Sequence, residues 1–226
     1  MPIYVFWGDD DYSLAQTVAQ LRDRAVAAPW RDFNEGIHTG SKPDQIVAAL
    51  NDALTPPFGS GDRYVEVRQA TLCQQCPPEL LTELTQTLPA IPPTTVLAII
   101  CARKPDGRLK STKLLKKYAE VREFALIPPW KTDELLQQAR QLARQYDVPL
   151  TPAALELLSA AVGNNIRQLH SELAKLALYS QSTQRAIDPE AVNLLVRSTT
   201  QTSLKLAEAL RDREVATALA TITSLL

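Results

Sequence analysis

The run Thr95 to Ile100 (TVLAII) is short, uncharged and rich in β-branched residues, the pattern of a strand buried on both faces. Such a strand needs helices above and below it, and the surrounding sequence supplies them in alternation. Ile3 to Trp7 (IYVFW) reads as a second buried strand ended by Gly8, and Leu14, Val18, Leu21 and Ala25 follow at helical spacing within Ser13 to Ala28. A weaker strand is expected over Arg31 to Ile37, then a helix opened by Pro43 with Ile46, Val47, Leu50 and Leu54 on one side. A strand Tyr64 to Arg68 (YVEVR), helices Pro78 to Leu88 and Ser111 to Tyr118, and a strand Val121 to Leu126 complete the series. This alternation predicts an α/β fold: a mostly parallel sheet with helices on both faces.

The pattern stops at Ile127 to Trp130 (IPPW). Each proline there removes a donor and pushes its predecessor into extended geometry, so the segment reads as a hinge. Beyond it only helical signals remain. Thr132 is expected to cap a helix reaching about Tyr146, with Asp133 and Glu134 at its positive end. Thr151-Pro152 and Asp188-Pro189 each pair a capping residue with a proline at the first helical position. Gly163-Asn164 separates two further helices, the second running from Asn165 to Tyr179. The expected organisation is an α/β domain over 1–128 and an all-α bundle over 129–198. A polar stretch, Ser198 to Ser203 (STTQTS), then leads into the start of a third helical domain over 199–226.

At 226 residues and 45% hydrophobic content the chain can fill two cores. No run approaches the length needed to cross a bilayer and the start MPIYVFWGDD lacks signal-peptide features, so a cytoplasmic protein without membrane contact is expected. The balance of 24 basic and 25 acidic residues gives a net charge of −1, so any attraction for nucleic acid must be local. Cys73, Cys76 and Cys101 read as reduced thiols; Cys73 and Cys76 form a C-x-x-C pair, but no second pair or matching histidines complete a zinc site. Neither histidine, His38 nor His170, falls in a catalytic motif.

In a parallel α/β domain the turn after the first strand is where nucleotide phosphates are held, by backbone N–H groups and a lysine in G-x-x-x-x-G-K-[ST]. Here that turn reads G-D-D-D-Y-S-L. Asp9, Asp10 and Asp11 would confront a polyphosphate with like charge, each close contact costing on the order of several kcal/mol at an effective dielectric near 20. No nucleotide cofactor and no metal are expected; the aspartates read as a cap for the following helix.

Three stretches together resemble one family. The opening I-Y-V-F-W-G-D-D-D-Y-S-L, the segment L-T-P-P-F-G-S-G-D-R-Y-V-E-V (Leu54 to Val67) and G-N-N-I-R-Q-L-H-S-E-L-A-K-L-A-L-Y (Gly163 to Tyr179) are similar to the delta subunit of bacterial DNA polymerase III. The resemblance spans essentially the whole chain. It implies a RecA-like domain of the AAA+ type, a helical lid, and a helical collar of which only the first part, from about Thr199, is present. It implies a non-catalytic clamp-loader subunit that opens the sliding clamp for DNA replication. Its partners would be the sliding clamp, the gamma or tau and delta-prime subunits, and primer-template DNA within the complex.

The clamp contact implied by the resemblance maps onto Thr55, Pro56, Pro57 and Phe58. Prolines around an exposed aromatic lower the entropy lost on docking, and the ring supplies buried area. Pro57 departs from the bulky hydrophobic residue common in the family, and the bland alternative is that Phe58 folds back into the core. A second stretch, Arg103 to Lys117 (RKPDGRLKSTKLLKK), gathers Lys104, Arg108, Lys110, Lys113, Lys116 and Lys117 as candidate DNA contacts, against the alternative of a solvated helix face. Arg167 falls where active relatives keep a lid arginine that senses nucleotide; without a phosphate loop it reads as a structural or interfacial charge. The rival class is an enzyme, a degenerate AAA+ ATPase with residual hydrolysis.

Overall fold

The computed structural model describes residues 3–196 and 209–215. The chain divides after Ala125 into two compact units, each with its own core. The polar stretch and the third helical domain expected beyond Ser198 fall largely outside the described residues.

The first unit is built on five strands, β1 (Ile3–Trp7), β2 (Glu35–Thr39), β3 (Arg63–Ala70), β4 (Thr95–Cys101) and β5 (Glu120–Glu123). They pair in the order β2-β3-β4-β1-β5, with every neighbouring pair parallel. β4 lies centrally, and Leu97, Ala98 and Ile99 are sealed from solvent, as the uncharged run requires.

Helix α1 (Asp11–Ala25) covers one face of the sheet, where Val18 and Ala25 pack with Phe6, Tyr64, Ala98 and Phe124. The opposite face carries α3 (Pro43–Ala53), α4 (Pro78–Thr87) and α5 (Lys110–Tyr118). Ile46 and Leu50, Leu80 and Leu84, and Leu115 pack there against Val5, Val65, Val67, Leu97 and Ile99. The period-two alternation along β3 therefore sends Tyr64 to one layer and Val65 to the other.

The second unit contains α6 (Thr132–Gln145), α7 (Pro152–Val162), α8 (Ile166–Thr183) and α9 (Pro189–Leu195). Its capping follows the sequence signals. Thr151 accepts from the Ala154 amide at 3.3 Å, Asn165 from Gln168 at 3.0 Å and Asp188 from Ala191 at 2.8 Å. A short parallel bridge, Leu150 with Ile187, ties the α6–α7 connection to the segment before α9. His170 is buried and shares a 3.0 Å hydrogen bond with the Tyr146 hydroxyl, a structural arrangement.

Four local expectations are corrected. The segment expected as a strand from Arg31 divides in two: a 3₁₀ turn (Ala28–Trp30) and the single-turn helix α2 (Arg31–Asn34) precede β2, which begins only at Glu35. The reason is a side chain that local patterning does not reveal: Asn34 is turned into the protein and bonded to a distant loop. Thr132 is the first residue of α6, and the cap position falls on Lys131 without a side-chain cap bond. β5 stops at Glu123, where its partner strand β1 ends at Trp7; the buried Phe124 donates its amide to the Trp7 carbonyl at 2.8 Å and accepts the Asp10 amide on its own carbonyl at 2.9 Å. Leu54 is exposed, since α3 ends at Ala53 and the chain leaves the sheet there.

Candidate functional site

Phe58 stands out in solvent. It is 57% exposed, and its neighbours Thr55 and Pro56 are exposed while Pro57 is half-buried. The ring does not fold back into the core.

It does not stand alone. Phe33, 61% exposed, lies with its ring centroid 5.3 Å from that of Phe58, and the half-buried Trp30 ring meets Phe58 edge-on at 5.2 Å. Three aromatic rings from two connections, the one before β2 and the one before β3, thus form one apolar tip. Both connections lead into N-terminal ends of parallel strands, so the tip sits on the N-terminal edge of the sheet.

The tip is braced from below by polar groups. Asn34, fully buried, donates from Nδ2 to the Phe58 carbonyl at 2.8 Å and accepts the Phe58 amide on Oδ1 at 2.7 Å. That pair of bonds holds the loop as a neighbouring strand would. Arg63, at the start of β3, donates to the Phe33 carbonyl at 3.2 Å and, through Nε and a terminal nitrogen, to the Asp52 carboxylate. The other Asp52 oxygen lies 2.8 Å from His38 Nε2. Burial pushes the Asp52 carboxyl up, but the hydrogen bonds from His38 and Arg63 outweigh it and hold the group below its ordinary value.

Two glycines make the geometry available. At Gly59, φ is +69° and a Cβ would fall 2.6 Å from the Trp30 ring, so only glycine lets the loop pass the indole. At Gly36 an added Cβ would sit 2.0 Å from an Asp52 oxygen; its absence is the space that the carboxylate fills.

The opposite edge of the sheet holds the turn after β1. Asp10 caps α1, accepting the Ser13 amide at 2.9 Å, while its own amide donates to the Phe124 carbonyl at 2.9 Å. The helix N-terminus, where a phosphate would be received, is therefore filled by a carboxylate of the same chain. Gly8, at φ +144°, brings the backbone so close to Phe124 that a Cβ would lie 2.0 Å from its carbonyl oxygen.

A family model described as DNA polymerase III, delta subunit, matches residues 4–125. The chain belongs to this family. A curated relative, DNA polymerase III subunit delta of Bacillus subtilis (strain 168), is 24% identical over 219 residues, covering 94% of this chain and 62% of the relative. The chain thus spans less than two thirds of that protein's length. Among solved structures, the Bacillus subtilis DNA clamp loader delta protein matches with a TM-score of 0.79 at 24% identity, over 100% of this chain and 67% of that one. The two share a fold.

Within the residues matched to the delta-subunit family lie both the aromatic tip and the basic stretch. The structure disperses that stretch. Arg108 is tied to Asp106 through Nε at 3.0 Å and a terminal nitrogen at 2.8 Å. Lys104 lies over the Trp7 ring at 5.4 Å, beside the C-terminal end of β1. Lys110, Lys113, Lys116 and Lys117 are exposed along α5, and Lys113 and Lys117, four residues apart, share one face. Arg167 is exposed in the first turn of α8, in the other unit.

Cys73 and Cys101 are buried against each other and Cys76 is half-buried. The hydrogen bond to Cys73, with burial behind it, drives the Cys101 thiol strongly up, and burial raises Cys76. Among the described residues no group of three His, Cys, Asp or Glu side chains is placed to hold a metal ion.

Sequence reading reached Phe58 but missed Trp30, Phe33 and Asn34. The available signal was a pair of large aromatics, Trp30 and Phe33, set among Arg31, Asp32 and Asn34. Two such rings in a polar segment lack a core-facing periodicity.

Proposed function

We propose that this chain is a non-catalytic clamp-loader subunit that grips the sliding clamp with the tip formed by Phe58, Phe33 and Trp30, Thr55, Pro56 and Pro57 shaping its rim. The observation that carries the reading is an exposed aromatic cluster whose backbone is fixed by a buried asparagine. A monomer that leaves two phenylalanines in water and holds their loop rigid has a surface suited to docking, because little entropy is lost when the rings enter a pocket. Burying the Phe58 ring would contribute about 1.5–3 kcal/mol, a tenfold or greater change in affinity.

The capped turn at Asp10 supports the second half of the reading, that the chain itself does not turn over ATP and leaves hydrolysis to partner subunits such as gamma or tau. Delta-prime and the gamma or tau subunits are further expected partners, drawn from the family.

The test is a titration of purified sliding clamp against the chain and its Phe58→Ala and Phe33→Ala variants. Each variant is expected to weaken binding at least about tenfold with the circular dichroism spectrum unchanged. Affinity equal to that of the unaltered chain in both variants would remove the tip from the interface.

The exposed lysines of α5 favour a secondary role in contacting primer-template DNA. Lys113, Lys116 and Lys117 project from one short helix without carboxylate partners among the described residues, which leaves their charge available to phosphates.

A further inference from the structure

A cavity of about 460 Å³ opens between the C-terminal end of α6 and the N-terminal end of α7. Its floor is apolar, made by Ala143, Val148 and Leu155, all buried. Pro149, Leu150 and Pro152 form its wall. Over the rim stand Arg140 and Arg144, one helical turn apart on α6 and both exposed.

Neither arginine has an acidic partner among the described residues; the ion pair of this helix joins Lys131 to Glu134 at its other end. Asp147 follows closely in sequence, but its left-handed backbone (φ +52°) turns the chain there and no ion pair forms. Arg144 lies in the last turn of α6 and is favoured by the helix dipole, which accounts for one charge and leaves Arg140 unexplained. The N-terminus of α7 adds positive potential from the other side of the cavity.

We propose that this slot is a docking site for an acidic peptide segment of a partner protein: a bulky apolar residue enters the floor, and neighbouring carboxylates pair with Arg140 and Arg144. Guanidinium groups grip carboxylates through two parallel hydrogen bonds, and the proline wall is already rigid, so the pocket is formed before the ligand arrives. Nucleic acid fits less well. A phosphate backbone is tracked by a run of cations, whereas here two cations flank one open pocket with an apolar floor. The site is in the helical unit and its occupancy does not depend on the aromatic tip.

The probe is a short fluorescein-labelled peptide in which paired Asp residues adjoin Leu-Phe, titrated into the intact chain by fluorescence anisotropy. Arg140→Glu combined with Arg144→Glu is expected to weaken binding at least about tenfold, as is replacing Leu-Phe by Ser-Ser in the peptide. Arg24→Glu with Lys42→Glu, an equal change in net charge, is expected to leave it within about twofold, and higher salt to weaken it. Absence of binding, or binding indifferent to the arginine pair, overturns the proposal. Equal binding of the Ser-Ser peptide reduces it to bulk electrostatics and also overturns it. Preferential capture of a single-stranded oligonucleotide by the same two arginines would reassign the slot to nucleic acid.

Discussion

Asn34 and Phe58 are 24 positions apart in sequence, yet the buried amide of one takes both main-chain groups of the other, at 2.8 and 2.7 Å. The side chain does the work of a strand neighbour for a single residue. Replacing it by alanine leaves the Phe58 amide and carbonyl without protein partners, which costs about 1–3 kcal/mol. Asn34→Ala is therefore expected to lower the urea midpoint and to weaken clamp binding although no ring is altered. Retention of full affinity would show that the tip needs no preorganisation.

Acidification should release the second brace at a definable pH. The Asp52 carboxyl is held below its ordinary value, so it adds stability that is fully present above its unfolded pKa of about 3.9 and is lost as pH falls through the lower folded value. The difference in urea midpoint between the unaltered chain and Asp52→Asn is expected to stay constant from about pH 7 to pH 5 and to shrink below about pH 4. A difference that stayed constant down to about pH 2 would show that the Asp52 carboxylate does not brace the tip.

The turn after β1 gives a prediction about what removing a charge will not do. Asp10→Ala deletes the cap on Ser13 and should destabilise α1 by about 0.5–2 kcal/mol. It should not create nucleotide affinity, because Gly8 stays packed against the Phe124 backbone and no lysine follows in the turn. Equilibrium dialysis with millimolar ATP is expected to show no retention by either protein. Saturable binding by the unaltered chain would restore the ATPase reading.

Charge reversal on α5 separates DNA contact from a merely solvated face. Lys113→Glu, Lys116→Glu and Lys117→Glu together are expected to reduce retention of primer-template DNA by an assembled loader and to flatten its salt dependence. An unchanged salt slope would assign these lysines to solvent.

Much of the fold was written in local patterns. Ile3 to Trp7 and Thr95 to Ile100 were legible as buried strands because a strand covered on both faces tolerates no charge, and both proved adjacent in the sheet. The proline-opened helices at Pro43, Pro78, Pro152 and Pro189 were legible because proline at the first turn sacrifices a donor that has no partner there anyway. The region from Ala28 to Asn34 was not. Its conformation is set by a contact to Phe58 across 24 residues, and tertiary bonding of that range leaves no period in the sequence. For the same reason one ring of the tip could be named in advance while the two that support it could not.

The aromatic tip and the sealed turn occupy opposite ends of the same five strands. Force applied at Phe58 passes through Asn34 and Arg63 directly into β2 and β3, and from there across a hydrogen-bonded sheet that stretches very little. The first domain is thereby suited to move as a single stiff lever: whatever pulls on its far rim displaces the rings by a comparable distance, without any conformational relay in between.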